Sequence, residues 1–254
     1  MTQRRIVITG AASGIGAATF ATLSASGCDC LAVDRNTGAG PDTIGCDLAD
    51  EASIASACEA IEGPIDGLAY VAGAPGTLAA ETVLRVNYLG ARRFIETLTP
   101  KFREGASIVT VSSLAARRCL WEPARLRAAL QFSDWVEALA AFGASELSGG
   151  EAYELSKRLL LAWLPLAAAD GLARRLRFNV VTPGPVETPL LPAFRESMGV
   201  DRIEAAKATI GRHARAEEIA APIVFLLDPS ASWVNGVEIV ADGGLLALRE
   251  ALAG

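Results

Sequence analysis

Short apolar runs rich in β-branched residues alternate along the chain with longer amphipathic stretches. The runs that we interpret as β-strands are 6–9, 30–33, 67–71, 107–111, 178–181 and 237–240. The stretches in which apolar residues recur at helical spacing are 17–26, 53–61, 83–102 and 217–227. Strands that alternate with helices in this way build a parallel sheet with helices on both faces. The pattern therefore predicts an α/β fold with a single doubly wound parallel sheet.

Two segments interrupt the alternation. About a dozen residues separate the second strand from Asp47, and glycines and a proline among them favour a loop over a crossover helix. The second segment, 115–150, has apolar residues at helical spacing between Pro123 and Gly143, namely Leu126, Leu130, Trp135, Val136, Leu139 and Phe142. It is too small to bury its own core. We therefore predict an inserted helical hairpin within one domain that spans residues 1–254.

Composition and charge narrow the class of ligand. Hydrophobic residues make up 51% of the 254 residues, and the formal net charge is −6. An acidic chain is not attracted to nucleic-acid phosphates or anionic lipids, so we expect a small-molecule ligand, no nucleic acid and no membrane. The longest apolar stretch, 159–169, contains Pro165 and is too short to cross a bilayer. Because residues 1–5 run directly into a strand, we expect no secretion signal and a cytoplasmic protein.

Cysteine and histidine content gives no indication of a metal site. The five cysteines form no C-x-x-C pair, so in a reducing compartment we expect thiols. The single histidine, His213, has no partner at ligand spacing. We interpret it as a solvated loop residue and expect no bound metal.

A glycine cluster directly follows the first strand. It comprises Gly10, Gly14 and Gly16, with Ser13 and Ile15 between them, and it leads into an alanine-rich helix. Glycine removes the Cβ atoms that would block a pyrophosphate, and the free N–H groups of a helix start attract negative charge. A tight strand-to-helix turn also requires glycine, but the context favours a dinucleotide site.

The end of the second strand bears on the choice of dinucleotide. Asp34 stands where a carboxylate can accept hydrogen bonds from the adenosine ribose hydroxyls. A 2′-phosphate at about 4 Å would be repelled by roughly 4 kcal/mol per unit charge at an effective dielectric near 20. The sequence therefore predicts NAD(H) in preference to NADP(H). Arg35 could offset this repulsion, although a solvated loop charge is the simpler interpretation of that residue.

Candidate catalytic residues occur where predicted strands end or helices begin. Tyr153 and Lys157 are four residues apart, which places both side chains on one helix face, so the ammonium can lower the phenol pKa. Ser113 follows the strand 107–111, at the sheet edge where open α/β folds bind ligands. Asn87 is a polar residue in an otherwise apolar run, and Thr188 lies in a turn rich in proline and glycine.

Together these residues resemble the short-chain dehydrogenase/reductase family over the whole chain, which implies a Rossmann-type sheet. The resemblance implies the catalytic residues Asn87, Ser113, Tyr153 and Lys157. It implies NAD as cofactor and a cofactor site formed by Gly10, Ser13, Gly14, Ile15, Gly16, Asp34, Arg35, Asp47, Leu48, Ala72, Gly73, Tyr153, Lys157, Pro183, Gly184, Val186 and Thr188. Asp47 matches the residue on the adenine side, and the turn 183–188 matches the motif on the nicotinamide side.

The chain departs from the family pattern in two places. Tyr70-Val71-Ala72-Gly73 stands where the family usually has Asn-Asn-Ala-Gly, so the side-chain contacts that support that turn are expected to be missing. The interval from Ser113 to Tyr153 is also unusually long for the family, because it contains the predicted insert. These departures and the short second crossover are similar to bacterial 3α-hydroxysteroid dehydrogenase/carbonyl reductase.

The resemblance implies hydride transfer between NAD(H) and a ketone or secondary alcohol. Tyr153 would donate a proton to the carbonyl oxygen, Ser113 would hydrogen-bond the same oxygen, and Lys157 would lower the phenol pKa and hold the nicotinamide ribose. Asn87 would hold a water that relays protons to Lys157. A dehydratase or epimerase that retains NAD and a non-catalytic dinucleotide sensor are the alternatives.

The substrate is less clear from the sequence. Residues expected to flank the nicotinamide are Leu114, Trp121, Leu190, Leu191, Phe194 and Met198, which form an apolar pocket or simply pack the insert and loop. A steroid, cyclic or aromatic carbonyl fits the first interpretation. Arg117, Arg118 and Arg195 are the only basic candidates beside them, which disfavours a phosphorylated or acyl-carrier substrate. We expect a homodimer through residues 217–241, with a homotetramer as the alternative.

Overall fold

The computed structural model describes residues 3–37 and 43–253 of the chain. Its main sheet has seven parallel strands in the order β3-β2-β1-β4-β5-β6-β9. The strands of this sheet are β1 (Arg5–Thr9), β2 (Asp29–Asp34), β3 (Ile44–Gly45), β4 (Ile65–Tyr70), β5 (Phe102–Val111), β6 (Arg177–Pro183) and β9 (Glu238–Ala241). Because the strand order reverses between β1 and β4, their carboxyl ends flank a crevice of the kind in which open α/β sheets bind ligands.

Helices cover both faces of the sheet, which confirms the predicted doubly wound fold. They are α1 (Gly14–Ala25), α2 (Glu51–Ala60), α3 (Ala80–Leu84), α4 (Gly90–Leu98), α5 (Pro123–Ala129), α6 (Trp135–Phe142), α7 (Gly149–Asp170), α8 (Leu191–Met198), α9 (Val200–Ile210), α10 (Ala216–Leu227) and α11 (Leu245–Ala253). A separate two-stranded sheet pairs β7 (Val186–Glu187) with β8 (Ala214–Arg215). None of the helices among the described residues is long and apolar enough to cross a membrane.

The core divides into two layers because successive residues of a strand face opposite sides of the sheet. Ile6 and Ile8 of β1 pack with Ile223 of α10 on one side. Val7 between them packs on the other side, in the larger cluster to which α2, α4 and α7 contribute. Apolar residues on both faces explain why the strands read as continuous apolar runs in the sequence.

The predicted helix 83–102 is confirmed as a continuous helical stretch over residues 80–101. Within it, α3 is followed by a π-helical turn over Arg85–Leu89 and by α4, and β5 begins at Phe102. Pro100 lacks the N–H that would continue the α-helix, so the chain leaves α4 through a short 3₁₀ turn. The apolar spacing continues across these changes of helix type because α3, the π-helical turn and α4 bury one face against the same core.

The predicted insert is confirmed as the helices α5 and α6, which pack onto the main core. Trp135 and Phe142 of α6 are buried in the large cluster, whereas Val136 is 72% exposed and does not belong to the apolar face. The loop predicted around Gly38, Gly40 and Pro41 lies outside the described residues. The five cysteines are free thiols, as predicted: Cys28, Cys30, Cys46, Cys58 and Cys119.

The expected exposure of His213 is wrong. The side chain is buried between α9 and α10, with Nε2 3.4 Å from the carbonyl oxygen of Ile203. Charged neighbours in the sequence suggested solvent contact, but Arg212 and Arg215 turn outward to Glu218 while the ring between them turns inward.

Candidate active site

The turn between β1 and α1 fits only glycine at three positions. Gly10 and Gly14 have φ angles of +71° and +54°, which favour glycine. A Cβ on Gly10 would lie 2.9 Å from the backbone nitrogen of Ala72, and one on Gly16 would lie 2.0 Å from the carbonyl oxygen of Gly10. The turn therefore packs backbone against backbone at the start of α1, where free N–H groups and the helix dipole favour a phosphate.

The ends of β1 and β4 are held together by side-chain hydrogen bonds. Thr9 is fully buried, and its Oγ1 accepts hydrogen bonds from the nitrogens of Val71 and Ala72 at 3.1 and 3.2 Å. The hydroxyl of Tyr70 donates to the carbonyl oxygen of Val86 at 2.9 Å. The hydroxyls of Thr9 and Tyr70 therefore support the turn in a chain that has Tyr70-Val71 where the family usually has Asn-Asn.

Asp34 is oriented by the backbone around it. Its Oδ2 accepts from the nitrogen of Ala12 at 3.0 Å, and its Oδ1 accepts from the nitrogen of Asn36 at 2.9 Å. The carboxylate is thereby fixed beside the glycine turn. Asp47 similarly accepts from the nitrogen of Ala49 at 2.9 Å. Asp34 at the end of β2 and Asp47 just after β3 thus both line the crevice.

Asn87 lies behind the crevice in the π-helical turn. The residue is fully buried, and its Oδ1 accepts from the nitrogen of Ala74 at 2.7 Å. Its Nδ2 donates to the carbonyl oxygen of Ala74 at 3.0 Å and to Ser156 Oγ at 3.2 Å. Single π-helical turns are frequent at functional sites, and this one brings the amide between β4 and α7.

The start of α7 is fixed by a capping box. Ser148 accepts from the nitrogen of Glu151, whose carboxylate accepts in return from the nitrogen of Ser148. With the helix start defined, Tyr153 and Lys157 face the sheet one turn apart, and the ammonium lies 5.7 Å from the centre of the phenol ring. Both side chains are buried.

Lys157 is anchored at the end of β5. Its Nζ donates to the carbonyl oxygen of Val111 at 2.9 Å. Ser112 Oγ donates to the backbone oxygen of Lys157 at 2.9 Å, so the next residue, Ser113, is held at the crevice. Ser113 is half-buried, and its Oγ accepts from the nitrogen of Ala115 at 3.2 Å.

Burial is the largest influence on the pKa values of Tyr153 and Lys157. It raises the pKa of Tyr153 to about 12, although the hydrogen bond from Ser113 acts in the opposite direction. Burial also lowers the pKa of Lys157 to about 8. The expected lowering of the phenol pKa is therefore not found in the protein alone, because burial disfavours the phenolate and this effect outweighs that of Ser113.

These side chains meet at one cavity of about 440 Å³. Every residue predicted for the cofactor lies on its wall, with Asp34 and Arg35 at the end of β2 and Thr188 beside Gly14 of the glycine turn. Of the predicted catalytic residues, Ser113, Tyr153 and Lys157 line the cavity. Asn87 lies behind Gly73, at which a Cβ would come within 3.3 Å of the Asn87 Oδ1.

The predicted apolar pocket needs one correction. Five of its six residues line the cavity, namely Leu114, Leu190, Leu191, Phe194 and Met198. The ring of Phe194 packs 5.2 Å from that of Tyr153. Trp121 does not line the cavity, because it packs against the core and stacks under the Arg125 guanidinium, 3.6 Å from its ring centre.

Sequence reasoning missed part of the charged wall. Arg118 lines the cavity as anticipated, but Arg117 and Arg195 are outside it, paired with Glu238 and Glu204. Arg202 of α9 and Arg249 of α11 line the cavity and were not identified. No local motif marks them, because they reach the site only through the packing of α8, α9 and α11.

Comparison with known proteins agrees with this geometry. A family model described as short chain dehydrogenase matches residues 4–121, and one described as Enoyl-(Acyl carrier protein) reductase matches residues 136–246. The coniferyl-alcohol dehydrogenase of Pseudomonas sp. (strain HR199 / DSM 7063) is 35% identical, over 96% of this chain and 97% of that protein. The chain belongs to the short-chain dehydrogenase/reductase family.

Two further members of the family, both hydroxysteroid dehydrogenases, are similar to this chain over nearly its whole length. The 3-alpha-hydroxysteroid dehydrogenase/carbonyl reductase of Comamonas testosteroni is 33% identical, over 96% of each chain. The crystal structure of the 3-alpha-hydroxysteroid dehydrogenase from Pseudomonas sp. B-0831 complexed with NADH superposes with a TM-score of 0.84. It is 32% identical, over 97% of this chain and 98% of that one. This short-chain dehydrogenase/reductase is thus an oxidoreductase that acts on alcohols or carbonyls.

The family uses a nicotinamide dinucleotide, and the site fits such a group. The glycine turn leaves a cradle that a Cβ would fill, the start of α1 supplies donors for a pyrophosphate, and Asp34 is fixed within reach of the cavity. The buried Lys157 lies beside the phenol on the wall of the same cavity.

Proposed function

We propose that this protein transfers a hydride between NAD(H) and an apolar ketone or secondary alcohol. The observation that carries the proposal is the meeting of Ser113, Tyr153 and Lys157 on the wall of the cavity that the glycine turn also lines. A phenol, a hydroxyl and an ammonium beside a dinucleotide cradle are the groups that carbonyl reduction requires.

Each side chain has a separate task in this proposal. Tyr153 donates its proton to the carbonyl oxygen during reduction and removes it from the alcohol during oxidation. Ser113 hydrogen-bonds the same oxygen, and Lys157 holds the nicotinamide ribose. Asn87, bonded to Ala74 and Ser156, supports the route by which a proton returns to Lys157. NADH, when bound, supplies the hydride to the carbonyl carbon.

The raised pKa of Tyr153 favours its role as a proton donor. A phenol with a pKa of about 12 remains protonated at neutral pH, as carbonyl reduction requires. Oxidation of an alcohol needs the phenolate, which the positive charge of the oxidised nicotinamide would help to stabilise.

We infer a preference for NAD(H) over NADP(H). Both oxygens of Asp34 already accept backbone hydrogen bonds, so the carboxylate cannot easily turn away from a 2′-phosphate. Arg35 lines the same wall and would weaken the preference without removing this fixed negative charge.

We infer from the apolar wall near Tyr153 that the substrate has an apolar body. Leu114, Leu191, Phe194 and Met198 surround that end of the cavity, which suits a steroid, cyclic or aromatic carbonyl. The coniferyl-alcohol and hydroxysteroid dehydrogenases among the relatives support this class, since both of their named substrates carry rings.

A panel of cyclic and aromatic ketones tests the proposal, with the absorbance of NADH and NADPH as the readout. We expect stoichiometric NADH consumption, and we expect Tyr153→Phe to lower kcat by about two to four orders of magnitude while NADH still binds. Near-normal turnover by Tyr153→Phe would exclude this mechanism. Turnover of a substrate without net change in NADH would instead indicate a dehydratase or epimerase.

We also propose a homodimer through residues 217–241. This segment carries Phe225 and Trp233, which are 48% and 98% exposed in the single chain. Light scattering after gel filtration measures the mass, and Trp233→Ser should weaken the dimer. A homodimer unaffected by this change, or a tetramer, would place the interface elsewhere.

A further inference from the structure

The charges on the cavity wall are separated between its two ends. The carboxylates on the wall are Asp34 and Asp47, both at the nucleotide end beside β2 and β3. The wall formed by the insert, α8, α9 and α11 carries Arg118, Arg202 and Arg249 and, among the described residues, no carboxylate. The substrate end of the cavity is therefore cationic, although the whole chain has a net charge of −6.

Two of these arginines have unused hydrogen-bonding capacity. Arg118 already has a carboxylate partner, because its guanidinium lies 3.0 Å from Glu154 Oε1. Arg202 and Arg249 have neither an ion-pair partner nor a side-chain hydrogen bond within the part of the chain that the structure describes. Most other arginines of α8 to α10 are paired, as Arg195 and Arg212 are with Glu204 and Glu218.

The packing of α9 against α8 and of α11 against α9 brings these two arginines to the cavity wall. Phe194 and Met198 of α8 line the cavity beside Tyr153, and α9 begins two residues after Met198, with Arg202 in its first turn. α11 packs against α9 and contributes Leu245, which is buried, and Arg249, which is exposed. The wall thus has an apolar interior with guanidinium groups at its rim.

We propose that the substrate carries a carboxylate on the part of its apolar body remote from the reacting carbon, and that Arg202 and Arg249 bind this group. Guanidinium groups match carboxylates through paired N–H donors, and such charge-assisted bonds are stronger than neutral ones. The apolar residues bind the ring, and the arginines fix which end of the molecule faces Tyr153. The inference rests on the proposed function, because it names the substrate class of that site.

Matched pairs of ketones test the inference. Each pair is a cyclohexanone with a carboxylate at position 4, attached directly or through one or two methylene groups, and its methyl ester, which keeps the shape and removes the charge. We expect the acid to exceed the ester in kcat/KM by about tenfold or more at one of these lengths. Equal or better reduction of the ester at every length would overturn the inference and leave the proposed function intact.

Variants assign the effect to the arginines. We expect Arg202→Met and Arg249→Met each to raise KM for the preferred acid by about tenfold, with little change for its ester or in kcat for either. Lys207→Met is the matched control, because Lys207 lies on α9 but does not line the cavity. An equal loss in Lys207→Met would show that only the general positive potential matters, which contradicts direct binding.

The alternative ligand of Arg202 and Arg249 is the pyrophosphate of the cofactor. Fluorescence titration with NADH separates the two, since we expect the NADH Kd to be unchanged in Arg202→Met and Arg249→Met. A tenfold weaker NADH affinity with an unchanged preference for acid over ester would overturn the inference.

Titration calorimetry measures binding of the acid and its ester directly, so this test does not depend on turnover. With the NADH-loaded Tyr153→Phe protein, the acid should bind more tightly than its ester, and Arg249→Met should remove the difference. If no ketone is reduced yet this preference is found, the proposed function fails and the carboxylate site stands. If the acid and its ester bind equally, the site is excluded.

Discussion

At the scale of single residues, the buried ammonium of Lys157 in the active site lowers the stability of the ligand-free fold. Lys157 is 4% exposed and makes one hydrogen bond to Val111, with no carboxylate partner among the described residues. An ammonium buried in this way loses solvation that one carbonyl oxygen does not replace. The lowered pKa of Lys157, about 8, is the measure of this imbalance.

We predict that Lys157→Met stabilises the ligand-free protein at pH 7 by about 1–3 kcal/mol while it abolishes most turnover and weakens NADH binding. Methionine fills similar volume without the buried charge. Chemical denaturation measures the free energy of unfolding, and NADH titration measures the binding. A variant less stable than the wild type at pH 7 would show that the bond to Val111 outweighs the desolvation of the ammonium.

The stabilisation by Lys157→Met should depend on pH in a defined direction. Because the folded pKa of Lys157 lies near 8 and the ordinary lysine value is 10.5, the unfolded chain holds this proton more tightly. The charge therefore opposes folding below about pH 8, and its cost disappears as pH rises to 10.5. We predict that the difference between variant and wild type shrinks over pH 8–10.5, measured by denaturation at each pH. A constant difference would contradict this assignment.

At the scale of secondary-structure elements, the start of α1 and the insert position the site. Gly16 has an ordinary φ angle, so alanine fails there through lack of space: its Cβ would lie 2.0 Å from the carbonyl oxygen of Gly10. Relief requires the turn to move away from β1. Because this turn forms the cradle, a substitution at Gly16 affects both cofactor binding and local stability.

We predict that Gly16→Ala lowers NADH affinity by at least tenfold and lowers the free energy of unfolding by about 1–3 kcal/mol, because overpacking shifts the turn. Fluorescence titration and chemical denaturation measure the two effects. Ala21→Ser, at an exposed position of the same helix, is the control and should change neither. Normal NADH binding by Gly16→Ala would mean that the turn does not contact the cofactor.

The insert stabilises the π-helical turn that carries Asn87. The rings of Phe142 and Tyr88 lie 6.1 Å apart, and the Arg85 guanidinium lies 5.5 Å from the ring centre of Trp135. Both contacts join α6 to residues on either side of Asn87. The insert is therefore part of the support of the active site rather than an appendage.

We predict that Phe142→Ala lowers the free energy of unfolding by about 3–5 kcal/mol, the usual cost of removing a buried aromatic ring. Val136→Ala is the matched control on the same helix, because Val136 is largely exposed and should change stability by less than about 0.5 kcal/mol. Similar losses in the two variants would show that α6 does not pack as described.

At the scale of the whole molecule, a cluster of buried residues shared by the insert and the sheet favours one folding unit. Buried residues of the insert, including Leu126, Leu139 and Phe142, belong to the same cluster as Val7 and Ile108 of the sheet. A segment that shares its core with the sheet has no independent stability. The single domain predicted from the sequence thus has a direct consequence for unfolding.

We predict a single unfolding transition by calorimetry, with a Tm that rises as NADH is added, because a ligand of the folded state stabilises it by mass action. Saturating NADH at 100 times its Kd should add about 2.7 kcal/mol. Two transitions, of which only one responds to NADH, would indicate that the insert or the C-terminal helices unfold separately.

The sequence by itself determined the features that depend on neighbours along the chain. Apolar runs specify strands, Gly10, Gly14 and Gly16 specify a tight turn before a helix, and the spacing of Tyr153 and Lys157 specifies one helix face. These rules act over one or two turns of backbone, so they can be applied before the fold is known. They were sufficient for the sheet and the glycine turn, whereas most of the remaining cavity wall was implied by the resemblance to the short-chain dehydrogenase/reductase family.

Only the tertiary structure decided what depends on contacts between distant segments. It turned His213 inward, removed Trp121 from the pocket, and brought Arg202 and Arg249 to the cavity. It also raised the pKa of Tyr153 where the sequence suggested a lower value, because the depth of burial is set by every element packed around the ring. Solvation and charge pairing are properties of the assembled fold, and no local spacing encodes them.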